Sequence, residues 1–225
     1  MSRAPWLYQK WASGKLQDAN RHAGCLLLGV ALFWNGISWA VAVPTVLEPS
    51  AGGGRFIALL FPLVGVGLAA AAVHAILRRR RYGAATFELA TLPGVIGRAI
   101  AGQILVERGL EAESDVVLTL KCVRKVVTGS GKQRRTTETT LWQSTRELPG
   151  TVAGAGVIRI PVAFAIPPEA EPTDDRHSSD MIQWHLEARA AREGVDFLAK
   201  FEVPVFRTAE SETPLTVEER QRLGA

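Results

Sequence analysis

Cysteine is scarce in this sequence: the 225 residues contain only Cys25 and Cys122. Two cysteines are too few for a disulfide framework, and Cys25 and Cys122 are too far apart in the sequence to show the paired spacing of a structural zinc site. Cys25 lies inside a long apolar run and Cys122 inside a predicted strand, so the two are poor candidates for a mutual disulfide. This sparing use of cysteine is typical of a protein in a reducing compartment.

Charge is missing from two long segments, Gly24–Val43 and Phe56–Leu77, which hold no Asp, Glu, Lys or Arg. A helix needs about 20 apolar residues to cross about 30 Å of hydrocarbon, and both runs reach that length. The breaker-rich stretch between them, Pro44–Gly54, predicts a tight reversal. We therefore predict a two-helix transmembrane hairpin over residues 24–81. It ends in a membrane clamp of four arginines, Arg78, Arg79, Arg80 and Arg81.

The basic residues predict how this hairpin is oriented. Residues 1–23 carry four basic groups and one acidic group, and the four arginines follow the second run, whereas the intervening loop has only Glu48 and Arg55. Under the positive-inside rule both termini are cytoplasmic. Within the helices we expect Asn35 and Ser38 to make helix–helix contacts, because polar side chains in a membrane bond to a partner helix.

Residues 1–23 form a separate cytoplasmic segment in this interpretation. Trp6, Tyr8 and Trp11 lie close to Lys10 and Lys15 in the sequence, and this mixture of aromatic and basic residues suits the headgroup layer of a membrane. Two expectations follow for residues 4–16: a short interfacial helix, or a segment without fixed structure.

Beyond Arg81 the apolar pattern changes to a period of two. Alternation over five positions, as in Ile158–Ile166, Ile182–Ala190 and Phe197–Val205, is typical of half-buried antiparallel strands. With four less regular segments this predicts an antiparallel β-sandwich of about seven strands over residues 84–207. The four further segments are Ala85–Leu89, Gly97–Val106, Val116–Val126 and Thr136–Arg146. Residues 208–225 are expected to be a mobile tail, with a turn of helix at Val217–Leu223.

Two resemblances rest on these residues. The arrestin-like β-sandwich has strands that resemble three runs of this chain, Ile160–Pro168, Ile182–Arg189 and Phe201–Val205. This resemblance implies an adaptor or scaffold, because domains of that fold share no catalytic residues. The chain up to Phe206 also resembles a family of uncharacterised bacterial inner-membrane proteins. The residues that carry this second resemblance are Trp6-Leu7, Trp11-Ala12 and Phe33-Trp34-Asn35.

No segment commits the chain to a reaction, so we expect no catalytic activity, no cofactor and no metal. The segment Gly129–Lys132 has Val126 and Gln133 where a phosphate-binding loop needs Gly and Ser or Thr, which favours a hairpin turn. A second polar cluster predicts a solvated turn, because nothing in the pattern holds a base against a nucleophile. It comprises Asp174, Asp175, His177, Ser178 and Asp180. His185, on the polar face of its strand, is expected to be exposed.

The basic excess of the chain belongs to the membrane flank. Net charge is +4 overall, but residues 82–207 hold fifteen basic and sixteen acidic groups, so we expect no nucleic-acid partner. One cluster stands out on a predicted hairpin, the basic hairpin residues Lys121, Arg124, Lys125, Lys132, Arg134 and Arg135. It is either a solvated edge that discourages sheet-to-sheet aggregation or a patch that contacts anionic lipid or an acidic protein.

The function that follows is an integral protein of the bacterial inner membrane. It would present a cytoplasmic arrestin-like sandwich as an interaction or scaffold module for a protein partner that the sequence does not identify. The alternative is an accessory subunit of a larger membrane complex, assembled through the hairpin.

Overall fold

A computed structural model describes residues 10–48, 50, 52–110, 114–148, 152–154, 157–213 and 215–222. The chain divides into two compact units. One is Asn20–Arg81, and the other joins the residues that precede Asn20 to those from Tyr82 onward.

The first unit is a pair of long helices, α1 (Ala23–Leu47) and α2 (Gly54–Tyr82, whose last residue belongs to the second unit). Both are long and apolar enough to cross a membrane. Helix α1 continues past Pro44, where we expected the turn to begin, and ends at Leu47. Most of the large apolar side chains of both helices are exposed.

Small residues fill the contact between α1 and α2. The buried side chains of α1 are Ala31, Ser38 and Ala42, and those of α2 include Ala58 and Ala72. These residues are four residues or a multiple of seven apart, which places them on one face of each helix. This interface lets the two backbones approach closely, as small residues do between membrane helices.

The second unit is a β-sandwich. The strands of the first sheet are β1 (Lys15–Gln17), β2 (Ala85–Leu89), β4 (Ala99–Val106), β7 (Val152–Gly154) and β8 (Val157–Ala165). The second sheet contains β5 (Val116–Thr128), β6 (Arg135–Leu148), β9 (Asp174–His177), β10 (Asp180–Ala190) and β11 (Phe197–Val203), and a small separate pair is β3 (Gly94–Val95) and β12 (Val205–Phe206). The first sheet has the order β1-β2-β4-β8-β7, and the second has the order β11-β10-β5-β6 with β9 paired to the start of β10. Among the described strands, all pairs in these two sheets are antiparallel, and the pair β12–β3 is parallel.

One core lies between the two sheets. Its largest fully buried side chains are aromatic and aliphatic, and they include Trp11, Phe87, Ile104, Phe164, Trp184, Phe197 and Phe201. Trp184 and Phe201, which stand at apolar positions of two predicted strands, are both fully buried. The predicted fold class, a pair of apolar helices followed by an antiparallel β-sandwich, is confirmed.

The described part of the N-terminal segment belongs to the sandwich. Residues 15–17 form strand β1 on the free edge of β2, and Trp11 is 1% exposed in the core. Asp18 and Ala19 then bond to the backbone of Lys200 in β11, so this segment ties one sheet to the other. The expected interfacial helix over residues 4–16 is therefore wrong for residues 10–16, and Trp6 and Tyr8 lie outside the described residues. Full burial in a protein core stabilises an indole side chain more than a partly hydrated position in the headgroup layer does.

The C-terminal segment also packs on the sandwich over part of its length. Leu215 is buried, its N–H donates to the carbonyl of Gly97, and Arg98 donates to the carbonyl of Thr213 at 3.0 Å. The expectation of a mobile tail is thus wrong for residues 208–213 and 215. The predicted turn of helix is found as α3 (Val217–Arg222).

The seven predicted strands are all found, with ends that shift by one or two residues. They correspond to β2, β4, β5, β6, β8, β10 and β11. Sequence alternation does not reveal the five others, β1, β3, β7, β9 and β12, because each has only two to four residues.

Candidate functional site: the basic hairpin and the adjoining cleft

Strands β5 and β6 form a long hairpin arm at one side of the second sheet. The turn between them contains a short 3₁₀ helix, Gly131–Gln133, and Gly129 has a φ of +79°. A side chain at Gly129 would be strained, because L-residues rarely adopt that φ and an added Cβ would lie 2.4 Å from the Gln133 carbonyl oxygen. The glycines that suggested a phosphate loop are thus the turn residues of a hairpin, as predicted.

Half of the basic hairpin residues are neutralised by neighbouring strands. Lys121 lies 3.5 Å from Glu187, and Lys125 lies 3.5 Å from Glu138. Arg124 makes a two-pronged bond to Asp180, with its Nε 2.9 Å from Oδ1. This pairing lowers the pKa of Asp180 and raises that of Arg124, so both remain charged at any ordinary pH.

The remaining three cations, Lys132, Arg134 and Arg135, stand at the tip of the arm. We call them the tip cations. All three are exposed, and none forms an ion pair with any residue that the structure describes. The positive charge available to a partner is therefore that of three residues rather than the six that the sequence suggested.

A cleft lies beside the base of the arm, with a cavity volume of about 520 Å³. Strands β5, β6, β9 and β10 and the loop after β8 contribute to it. Its apolar lining comprises Cys122, Leu141, Trp142, Pro167, Ala170 and Ile182. Its polar lining comprises Arg124, Glu169, Glu171, Asp174, His177 and Asp180.

An irregularity in β6 brings apolar groups to this cleft. Cys122 pairs with Trp142 and Val123 with Thr140, so Leu141 is an extra residue that bulges from the ladder. A bulge re-aims the side chains around it. Leu141, 43% exposed, and Trp142 consequently both line the cleft although they are sequence neighbours.

The floor of the cleft is held by indole groups. The rings of Trp142 and Trp184 are 5.4 Å apart, and Trp184 Nε1 donates to the carbonyl oxygen of Glu171 at 2.9 Å. Buried Trp184 therefore fixes both the Trp142 ring and the loop that carries Glu171. The cleft is preformed rather than dependent on a mobile loop.

The carboxylates at the cleft fall into two pairs. Asp180 is engaged by Arg124, and Asp174 by Arg176, whose hydrogen bonds lower the pKa of Asp174 to about 2. Glu169 and Glu171 are exposed, and neither makes an ion pair with a described residue. The charge that the cleft offers to a partner is thus negative.

The cleft has neither a reactive thiol nor, among the described residues, a grouped set of metal ligands. Burial raises the pKa of the Cys122 thiol to about 12, with Glu171 adding to the effect, so the thiol is protonated at neutral pH and is a poor nucleophile. Among the described residues, no three His, Cys, Asp or Glu side chains are grouped to hold a metal ion. The predicted solvated turn is correct only for Ser178, because Asp174, Asp175 and His177 lie in strand β9 and Asp180 begins β10.

His185 lies on the other face of the second sheet and is half-buried, so its expected full exposure is wrong. Its Nδ1 is buried and has no hydrogen-bond partner in the part of the chain that the structure describes, and its cross-strand neighbours are Lys121 and Glu202. Burial lowers the pKa of His185, and the nearby charge of Lys200 lowers it further.

The predicted residues of the helical hairpin make the following contacts. Ser38 is buried, and Asn35 donates to the carbonyl of Ala31 at 2.8 Å. An added Cβ on Gly65 would lie 2.6 Å from Asn35 Oδ1, so the amide packs directly against the α2 backbone. In the membrane clamp, Arg79 donates to the carbonyl of Arg21 at 2.7 Å, Arg78 is half-buried, and Arg79, Arg80 and Arg81 are exposed.

Comparison with known proteins finds similarity among solved structures. No protein-family model matches the chain, and no curated protein matches it. The chain is similar to the crystal structure of Spo0M, a sporulation control protein from Bacillus subtilis, with a TM-score of 0.37 and 13% identity over 57% of this chain. It spans about half, 51%, of that protein's length. The fold assignment therefore rests on the strand order and pairing of the chain itself.

Sequence reasoning found the arm but not the cleft. Leu141 and Trp142 are adjacent apolar residues in an otherwise polar part of the strand, and that adjacency is the one signal of a bulge. The acidic rim comes from the loop after β8, whose proline- and glutamate-rich sequence indicates a loop but not a binding site.

Proposed function

We propose that this chain is an integral protein of the bacterial inner membrane that anchors a β-sandwich interaction module on the cytoplasmic side, with both termini cytoplasmic. The exposed apolar surface of the two helices carries the proposal. Twenty-one large apolar side chains of α1 and α2 are exposed, against two, Leu141 and Val217, in the described part of the second unit. A monomeric soluble protein rarely exposes a contiguous apolar surface of this extent.

Binding rather than catalysis is the role proposed for the sandwich. The chemistry at its cleft supports this choice, because the Cys122 thiol is protonated and Asp174 and Asp180 are engaged by arginines. A preformed cleft next to a projecting arm suits recognition of another molecule. The alternative of an accessory subunit assembled through the hairpin has less support, because Asn35 and Ser38 are used within the hairpin itself.

The tip cations are the proposed contact with the membrane surface. Lys132, Arg134 and Arg135 have no competing ion pair among the described residues, and each cation near an anionic leaflet contributes roughly 1 kcal/mol. The larger part of the sandwich unit follows the membrane clamp directly, from Tyr82 onward, so the chain would tether it at the bilayer and raise the local concentration of its tip there.

Reporter fusions test the location and orientation. A periplasm-active phosphatase fused at Gly53 should be active, and the same enzyme fused after Arg207 should be inactive. A cytoplasm-active fluorescent reporter should give the reverse pattern, and alkaline carbonate should not extract the full chain from membranes. A phosphatase that is active after Arg207, or release of the chain by carbonate, would refute the proposal.

A further inference from the structure

We propose that the cleft binds a basic, partly apolar segment of a partner protein, with a Lys or Arg side chain seated against Trp142 beside Glu169 and Glu171. The inference rests on the proposed role of the sandwich as an interaction module, and it names the chemistry of the partner.

The floor of the cleft provides the apolar half of this recognition. Leu141 is the one large apolar side chain that the described strands of the sandwich leave exposed, and it stands next to Trp142 on the same wall. Ile182 and Pro167 extend the surface. An exposed aliphatic group beside an indole face accommodates the stem of a long side chain, and the indole attracts its cation.

The rim provides the charged half. Of the four carboxylates that line the cleft, Asp174 and Asp180 already have arginine partners. Glu169 and Glu171, which flank the buried Ala170 on one loop, form no ion pair with a described residue. Arg124 also lines the cleft, but its guanidinium is hydrogen-bonded to Asp180 and interacts with Glu171 only at longer range. A cationic side chain entering the cleft would meet the carboxylates of Glu169 and Glu171, whereas an acidic segment or a phosphate would meet repulsion.

The size of the cleft limits what enters to one or two side chains. Its volume of about 520 Å³ lies inside the usual range of roughly 300–1,000 Å³ for small ligand sites. The loop is already anchored by Trp184, so little conformational freedom is lost on binding. A segment of polypeptide that inserts one basic residue fits these dimensions better than a docked globular surface.

The proposed location supplies partners of this chemistry. Cytoplasmic segments next to membrane-spanning helices are rich in Lys and Arg. A cleft with free carboxylates, tethered at the inner face of the membrane, therefore faces basic juxtamembrane segments of other proteins. The tip cations would contact the lipid and the cleft would bind the partner protein, because the tip attracts anionic headgroups and the cleft repels them.

A peptide-binding experiment on the full chain tests the inference. The chain is placed in nanodiscs of neutral phosphatidylcholine, so that lipid charge does not contribute. The probe is a fluorescein-labelled peptide, Gly-Ser-Leu-Arg-Arg-Leu-Ser-Gly, and its partner probe has Glu in place of both Arg. Fluorescence anisotropy at low ionic strength should show saturable binding of the arginine peptide and at least ten-fold weaker binding of the glutamate peptide.

Two variants separate the cleft from general electrostatics. Glu169→Lys with Glu171→Lys should weaken binding of the arginine peptide at least ten-fold. The matched control, Glu147→Lys with Glu210→Lys, makes the same charge change at exposed carboxylates outside the cleft and should alter binding less than two-fold. Leu141→Gln leaves the charge unchanged and should weaken binding several-fold.

Three outcomes would overturn the inference: no binding of the arginine peptide, equal weakening by both pairs of lysine substitutions, or equal binding of the two peptides. Circular dichroism of each variant shows whether the sandwich is folded. Failure here with correct reporter topology refutes the cleft alone. Peptide binding with incorrect topology refutes the anchoring proposal and leaves the cleft intact.

Discussion

The helical hairpin and the β-sandwich bury different kinds of side chain. The contact between α1 and α2 is made of small residues such as Ala31, Ser38 and Ala72, while Leu, Phe and Trp side chains point outward. The sandwich does the opposite, since Trp11, Trp184 and other aromatic residues fill its core. The hairpin therefore buries small side chains and exposes large apolar ones, which suits lipid as the solvent. The sandwich buries large apolar side chains, which suits water.

The difference teaches where each unit obtains its stability. Burial of apolar surface from water contributes about 25 cal/mol per Å² and dominates the folding of the sandwich. Between helices in lipid that term vanishes, because the hydrocarbon is as apolar as the side chains, and close packing of small groups takes its place. Core substitutions should consequently be costly in the sandwich, and glycine substitutions at the contact should be the costly ones in the hairpin.

The largest effect is expected from Trp11→Ala. The side chain of Trp11 is 1% exposed, and its ring meets the ring of Phe206 edge-on at a centroid distance of 5.9 Å. Truncating an aromatic core residue to Ala typically costs about 3–5 kcal/mol, which approaches the whole stability of a small domain. Thermal unfolding of the full chain in detergent, followed by the β-sheet circular dichroism signal, should show the loss.

Phe33→Ala is the matched control for Trp11→Ala. Phe33 lies in α1 and is 71% exposed, so its loss should leave the melting of the sandwich unchanged. Trp184→Ala should match Trp11→Ala in size, because both indoles belong to the same core. A Trp11→Ala variant that melts with the wild type would show that the N-terminal strand is not part of the folded sandwich.

An intermediate effect is expected at the helix contact. An added Cβ on Gly65 would lie within 2.7 Å of three side-chain atoms of Asn35, whereas an added Cβ on Gly67 would meet nothing within 4 Å. Gly65→Leu should therefore separate the helices or displace Asn35, and overpacking of this kind typically costs about 1–3 kcal/mol. Thermal loss of the helical signal at 222 nm should begin at a lower temperature for Gly65→Leu.

Gly67→Leu makes the same chemical change on an open face of α2 and should be neutral or slightly stabilising, because Leu is the better helix former. Equal destabilisation by both substitutions would indicate a general intolerance of α2 to bulk rather than a specific contact with Asn35.

The long elements of this fold could be predicted from the sequence, and the short ones could not. Two uncharged runs of twenty or more residues, and strands with five alternating apolar positions, are signals that few other structures produce. Strand β1 has three residues, and Trp11 beside Lys10 has the same local pattern whether it meets lipid or a protein core. Only the tertiary pairing of β1 with β2 distinguishes the two.

The cleft could not be predicted because it is assembled from distant segments. Leu141 and Trp142 come from β6, Glu169 and Glu171 from the loop after β8, and Ile182 from β10. The charge of the arm was overestimated for the same reason. Three of its six cations find carboxylates across the sheet, and cross-strand register cannot be read from composition.

The smallest effect is expected from the tip cations, and it sharpens the comparison between the two units. The hairpin should hold to the membrane by apolar contact, which salt does not weaken, whereas the tip of the sandwich should hold by charge alone. Each of the three cations contributes at most roughly 1 kcal/mol, and screening reduces this further because the Debye length is about 10 Å at 0.1 M salt. An environment-sensitive NBD label at Ser130→Cys, in the exposed tip, reports the contact in nanodiscs of anionic or neutral lipid.

The label should show blue-shifted, brighter emission only with anionic lipid, and 0.5 M salt should abolish the change while the chain stays in the nanodisc. Lys132→Glu with Arg134→Glu and Arg135→Glu should remove the change at any salt concentration. A label at Thr145→Cys, an exposed position toward the other end of β6, serves as the positional control and should respond to neither lipid nor salt. Because Cys25 and Cys122 are the only native cysteines and Cys122 is buried, a Cys25→Ser background keeps the labelling specific. An NBD signal that is equal in both lipids, or that persists in the triple variant, would leave the tip as a solvated edge and the cleft as the remaining candidate for function.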